Sequence, residues 1–205
     1  MTRQARRRGV PAISIAHLTR TARFAVLDPS IVRTRLATPP ASRPRVLIAL
    51  GGGAHVFALA GRLSTALAQR IPFVDITAAA GFSTRTRKPA LASGRWISAP
   101  NGLTFELSRT SVAVVAGGVT LQEACALGVP AVAVAVVAAQ RPAIRQAAQR
   151  RAVIDAKDLD HVAAHVARVI ADPRQQRRLS AAGRRFVDGQ GVFRVADRIR
   201  TLHVA

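Results

Sequence analysis

From residue 45 to the carboxyl end, short wholly apolar runs alternate with longer stretches whose apolar residues recur at helical spacing. Unbroken apolar runs bounded by turn residues predict buried strands over 46–50, 73–78, 96–98, 112–116, 131–137 and 152–154. Between them the spacing predicts helices over 54–70, 103–108 (with Asn101 as a cap), 120–127, 140–150, 159–171, 174–184 and 192–202. The stretch 79–94 is polar and basic and predicts a loop. Strands that lack a polar face, each followed by a helix, predict an α/β fold: a Rossmann-like parallel sheet flanked by helices.

Before residue 45 the pattern changes. Two short apolar runs, 11–15 and 24–27, have strand length but cannot build a core alone. Residues 37–44 carry three prolines in eight positions, which stop both helix and sheet interior. The expected division is therefore a short amino-terminal piece over 1–36, a proline-rich linker over 37–44, and one domain over 45–205.

Composition narrows the classes. The 205 residues are 49% hydrophobic, which suits a packed domain rather than a disordered chain. No apolar run approaches the ~18–20 residues of a membrane span, and no signal-peptide core follows the basic start, so a cytoplasmic protein is expected. Cys125 is alone and lies within an apolar helix, which favours packing over catalysis and excludes a cysteine-based metal site or disulfide frame. Asp155, Asp158 and Asp160 lack calcium-loop spacing and suit a helix start; neither metal nor cofactor is expected. The formal charge of +21 raises a nucleic-acid reading. Against it, only Lys88 and Lys157 among the 31 basic residues are lysines, the charge is spread along the chain, and there is no Tyr. The arginines at 174, 177, 178, 184 and 185 suit a solvated helix face. A basic surface with some affinity for any polyanion is the plainer expectation.

Chemistry concentrates at two glycine turns. Gly51-Gly52-Gly53 ends the first strand of the regular region, where a backbone without side chains lets a phosphate approach. His55 follows at the helix start, able to donate to a phosphate, to act as a base or merely to face solvent. Gly117-Gly118 ends the 112–116 strand, and the helix begun there offers free N–H groups and a positive dipole end to an anion. Thr120 can cap or donate to that anion, and Glu123, about one turn on, can accept from sugar hydroxyls. Nucleotide-sugar binding is the leading expectation.

The run 116–130 (AGGVTLQEACALGVP), with VAAQ at 137–140 and DGQGVFRVA at 188–196, resembles the sugar-nucleotide-binding half of two-domain GT-B glycosyltransferases. Within that class it is similar to the pseudaminic acid pathway hydrolase of a UDP-linked diacetamido-trideoxy sugar and to spore-coat polysaccharide proteins. The resemblance spans residue 45 to about 202. It implies that Gly117, Gly118 and Thr120 line the phosphates, that Glu123 holds the ribose hydroxyls, and that Gln140 meets the sugar or phosphate. Gly52 and Gly53 match the family's first glycine turn. The family usually has Asn where this chain has Ala139, and an acid just after the first turn where this chain has Ala54 and His55. It also has an amino-terminal domain with a His-bearing glycine loop, of which residues 1–36 match only the last piece; His17 does not match that loop.

The implied function is UDP-sugar binding in a GT-B hydrolase or glycosyltransferase of surface polysaccharide or nonulosonic acid biosynthesis. A partner subunit would supply the missing wall, and no residue is assigned to catalysis. The alternatives are a non-catalytic nucleotide- or partner-binding module and, third, a basic nucleic-acid binder.

Overall fold

The computed structural model describes residues 22–34, 43–53, 55–81 and 88–203. The run expected as a strand over 11–15 lies outside them. Six parallel strands form one sheet: β1 Arg45–Ala49, β2 Asp75–Ala79, β3 Arg95–Ile97, β4 Val112–Val115, β5 Ala131–Ala133 and β6 Ile154–Asp155. Their order across the sheet is β3-β2-β1-β4-β5-β6. The helices are α1 His55–Arg70, α2 Thr104–Ser108, α3 Val119–Leu127, α4 Arg141–Gln149, α5 Val162–Ala171, α6 Pro173–Phe186 and α7 Gly191–His203.

All four residues of β4 and all three of β5 are buried, as a sheet covered on both faces requires. Alternate side chains feed two cores. Val46, Ile48 and Val114 point into one with Leu63 and Leu67 of α1 and Val166 of α5. Leu47, Ala49 and Val115 point into the other with Leu121 and Leu127 of α3 and Ile144 of α4. The Rossmann-like α/β expectation holds.

Three local expectations fail. The 24–27 run is not a strand: a 3-10 turn over Ala22–Phe24 is followed by extended chain and a second turn, Pro29–Arg33. Ala25 and Leu27 are nevertheless buried while Val26 is exposed, so the strand-like alternation is real but no ladder forms. The fifth strand stops at Ala133 rather than 137; the Val134 N–H still bonds the Val115 carbonyl, but the Val136 and Val137 N–H groups go to the Gln140 Oε1 at 2.9 and 3.4 Å. Asn101 does not cap α2; Leu103 holds the N-cap position, with no side-chain hydrogen bond.

Two ties fix the ends of α3 and α6. Gly128 ends α3 in the left-handed conformation (φ 76°), and the Arg184 Nε and Nη2 donate to the Leu127 carbonyl at 3.2 and 3.0 Å, satisfying a carbonyl the helix leaves free. Asp172 caps α6, accepting from the Arg174 and Gln175 N–H groups at 2.9 and 3.0 Å.

Candidate functional site

The strand order sets the site. From β1 the chain crosses through α1 to β2 on one side; from β4 it crosses through α3 to β5 on the other. Connections leaving neighbouring strands in opposite directions open a crevice beyond their carboxyl ends. β1 and β4 are neighbours in register, with Ala49 opposite Val115 and the Ala116 N–H bonded to the Ala49 carbonyl at 3.4 Å. The Gly51–Gly53 and Gly117–Gly118 turns therefore leave the sheet side by side.

On the β4 side, Gly118 is the N-cap of α3 (φ −111°, ψ −158°), and no side chain caps the helix. A Cβ at Gly118 would meet nothing within 4 Å. The Leu121 N–H bonds the Gly118 carbonyl at 3.2 Å, and the Val119 and Thr120 N–H groups ahead of it have no bond among the described residues, the arrangement that receives an anion. Thr120 lies two residues beyond the N-cap, too far into the helix to cap it. Its side chain hydrogen-bonds Glu123 instead, one turn on. Burial pushes the Glu123 carboxyl above its ordinary value, and that Thr120 bond pulls the other way. A half-buried carboxylate held by one hydroxyl keeps free lone pairs for further donors such as vicinal hydroxyls.

Gly117 serves a different neighbour. A Cβ there would lie 2.6 Å from the Gln140 carbonyl oxygen and 2.9 Å from its Cβ, so the turn at Ala138–Gln140 presses on this glycine. The Gln140 Oε1 is spent on its own loop, and only the amide N–H pair remains to donate to a ligand.

On the β1 side, Gly51 (φ 100°) and Gly53 (φ 124°) adopt backbone conformations that disfavour side chains. Gly52 is exposed, and the exposed His55 opens α1 with its ring against Gly53. Ala54 lies outside the described residues. The structure thus gathers Gly117, Gly118, Thr120, Glu123 and Gln140 at one turn and sets Gly52 and Gly53 on the adjoining one.

Sequence reasoning missed Gly81 and the exposed Val119 and Val137. Gly81 (φ 58°) follows β2 and packs on the first turn, where a Cβ would lie 2.6 Å from the Gly52 Cα. Its signal was present, a glycine directly after a strand-like run. Val119, the first residue of α3, and Val137, just before the Ala138–Gln140 turn, are exposed; for Val119 an apolar group beside a glycine pair was the available cue.

A family model described as "Glycosyl transferases group 1" matches residues 105–186, the span that contains the Gly117 turn and Gln140. No curated protein matches the chain. Among solved structures, the glycosyltransferase of kitacinnamycin shares 20% identity at a TM-score of 0.56, over 83% of this chain and 46% of that one. Spinosyn rhamnosyltransferase SpnG complexed with thymidine diphosphate shares 21% at 0.55, over 76% and 42%. The UDP-GlcNAc 2-epimerase from Neisseria meningitidis bound to UDP-GlcNAc shares 15% at 0.60, over 78% and 45%. The fold matches one half of the two-domain GT-B fold. The chain spans less than half the length of each of these three proteins.

Other candidate groups in this GT-B half are engaged elsewhere. Cys125 is buried and its thiol is pushed up to about 12, which leaves no nucleophilic thiolate at neutral pH. Asp155 pairs with Lys157 at 2.6 Å, Asp158 with His161 at 2.7 Å and Asp160 with Arg62 at 3.5 Å. No described helix is long and apolar enough to cross a membrane.

Proposed function

We infer that the crevice beyond β1 and β4 binds the diphosphate and ribose of a nucleotide sugar, with residues 45–205 as the nucleotide-sugar half of a GT-B-type hydrolase or glycosyltransferase. The observation that carries this reading is the uncapped, unobstructed start of α3 at Gly118, with Glu123 one turn inside it. Gly118 and the first N–H groups of α3 would hold the phosphates, and Gly52 and Gly53 would let the far phosphate approach the β1 loop. Glu123 would accept from the ribose hydroxyls, its geometry set by Thr120. The Gln140 amide would donate to the sugar or phosphate, and Val119 and Val137 would give apolar contact at the rim. Thymidine diphosphate bound by one structural neighbour and UDP-GlcNAc by another support a nucleoside diphosphate as the ligand class.

UDP is the nucleotide proposed, carrying a diacetamido-trideoxy sugar of nonulosonic acid biosynthesis, and water is the attacking group. Catalysis needs groups placed against the sugar from a second wall, which a further domain or partner subunit would supply. Calorimetry with UDP and a UDP-sugar tests the binding step. Glu123→Ala is expected to weaken UDP at least about tenfold, the worth of one or two hydrogen bonds to a charged group. No heat from either ligand with folded wild-type protein overturns the reading. UDP-sugar binding without UDP release by the purified chain favours the non-catalytic module.

A further inference from the structure

The chain has only ten acidic residues, and all of them lie in the described segments. Each has a place. Asp75 pairs with Arg45, Glu106 with Arg95, Asp160 with Arg62, Asp188 with Arg194 and Asp197 with Arg200. Asp155 and Asp158 pair with Lys157 and His161. Asp28 and Asp172 cap helical turns, and Glu123 takes the Thr120 side chain. Wherever arginines gather away from these ten, no side chain of this chain can neutralise them.

One cavity meets that condition. A depression of about 500 Å³ between the carboxyl ends of α4 and α6 and the Ala22–Phe24 turn is lined by Arg23, Arg150 and Arg185, with Gln146 and Phe186 beside them. None of the three arginines makes an ion pair among the described residues, and no carboxylate lines the cavity. A second cavity, of about 270 Å³ under α2, shows the contrast. There Arg45 and Arg95 each have a carboxylate at 3.8 Å, from Asp75 and Glu106, and Arg109 lies over the Phe105 ring. That cavity is balanced from within.

The unbalanced cavity is also remote from the glycine turns. Gln140, which packs on Gly117, precedes α4, and Arg150 follows its last residue. Nine residues of helix separate the two by roughly 13 Å. Three guanidinium groups, each a planar fork of donors, suit the oxygens of phosphate rather than a single point charge. A volume of about 500 Å³ has room for a phosphate or a diphosphate.

We propose that Arg23, Arg150 and Arg185 form a second binding site, separate from the strand-end crevice, for a phosphate or diphosphate group carried by another molecule. The group can belong to a free metabolite or to a lipid headgroup, and the two are separable by experiment. Titration of the full chain with inorganic pyrophosphate tests the free form. Sedimentation with phosphatidylglycerol vesicles, against phosphatidylcholine vesicles, tests the headgroup.

Arg150→Gln/Arg185→Gln is the decisive variant, because both side chains are exposed and neither bonds another element among the described residues. It should weaken pyrophosphate or anionic-vesicle binding at least about tenfold and leave UDP binding unchanged. Arg174→Gln/Arg178→Gln removes the same charge from an exposed part of α6 and should change either by less than about twofold. The proposal is overturned if wild type binds neither probe, if the two variants weaken binding equally, or if Arg150→Gln/Arg185→Gln binds as wild type does. A loss of UDP binding in wild type would count against the strand-end reading alone.

Discussion

Two glycine turns in this chain look alike and are built for opposite ends. At Gly118 a Cβ would meet nothing within 4 Å. In the Asp188–Gly191 turn every such space is taken: a Cβ at Gly189 would lie 2.2 Å from the Val32 Cγ1, and one at Gly191 would lie 2.1 Å from the Ala25 carbonyl oxygen. The second turn clamps the 22–34 segment, with Arg194 bonded to both Asp188 oxygens at 2.8 and 2.6 Å and to the Arg23 carbonyl at 3.0 Å. That segment delivers Ala22, Ala25, Leu27 and Ile31 to the core. Glycine content alone does not mark a ligand site; what distinguishes the two turns is whether the space a side chain would fill is empty or already occupied. Gly117 belongs with the occupied class although it adjoins Gly118 in sequence.

The sharpest break of this comparison is Gly191→Ala. The obstruction is main chain, so relief requires moving the 22–34 segment or α7, and destabilisation of about 3 kcal/mol or more is expected. Urea denaturation with an unchanged slope measures it; a midpoint near wild type would show that the segment is not clamped as described. Next comes Gly117→Ala. Its Cβ would displace the Gln140 turn, costing about 1–3 kcal/mol and weakening UDP as well, so stability and binding should fall together.

Gly118→Ala should separate them. A poorer N-cap costs under about 1 kcal/mol, while the new methyl occupies the space in front of the α3 N–H groups. A loss of UDP affinity of at least about tenfold with a nearly native denaturation midpoint is expected. Equal losses in Gly117→Ala and Gly118→Ala, in both readouts, would erase the distinction.

Much of this arrangement is legible in the sequence. The 112–116 run, the glycine pair and the helix after it are locally consistent: a buried strand, a backbone that can turn, then good helix formers. The order of strands and helices followed for the same reason. What failed were places where a local or tertiary interaction outranks hydrophobic pattern. The 131–137 run is apolar throughout, yet Gln140 claims two N–H groups that a longer β5 would need, a competition periodicity cannot register. The 24–27 run alternates like a strand because Ala25 and Leu27 face the core while Val26 does not. Of the two roles open to Thr120, the cap falls two residues earlier, at Gly118, and the Thr120 side chain turns to Glu123. The Arg23, Arg150 and Arg185 cavity was beyond reach, because nothing in the sequence brings three such distant residues together.

The two turns also differ in the carboxylate each one carries, and that difference gives the smallest and most specific effect. Burial raises Glu123 above the ordinary value of a glutamate carboxyl, whereas the hydrogen bond from Arg194 holds Asp188 below that of an aspartate. A raised carboxyl contributes stability below its unfolded value and loses it as pH rises through the folded one, so ionised Glu123 is a burden on the fold at neutral pH. A lowered carboxyl works the other way, stabilising above its unfolded value and ceasing to do so as pH falls through the folded one. Glu123→Gln should therefore raise the melting temperature slightly at pH 7 and have no effect below about pH 4, while weakening UDP. Asp188→Asn should lower it at pH 7, by an amount limited to about 1 kcal/mol because the pair is partly exposed, and the loss should shrink in strong acid. Melting curves from pH 3 to 8 for both variants measure the two slopes. Opposite signs are the expected signature of a carboxylate kept for a ligand and one kept for the fold; slopes of the same sign would mean that Glu123, too, is held for structure.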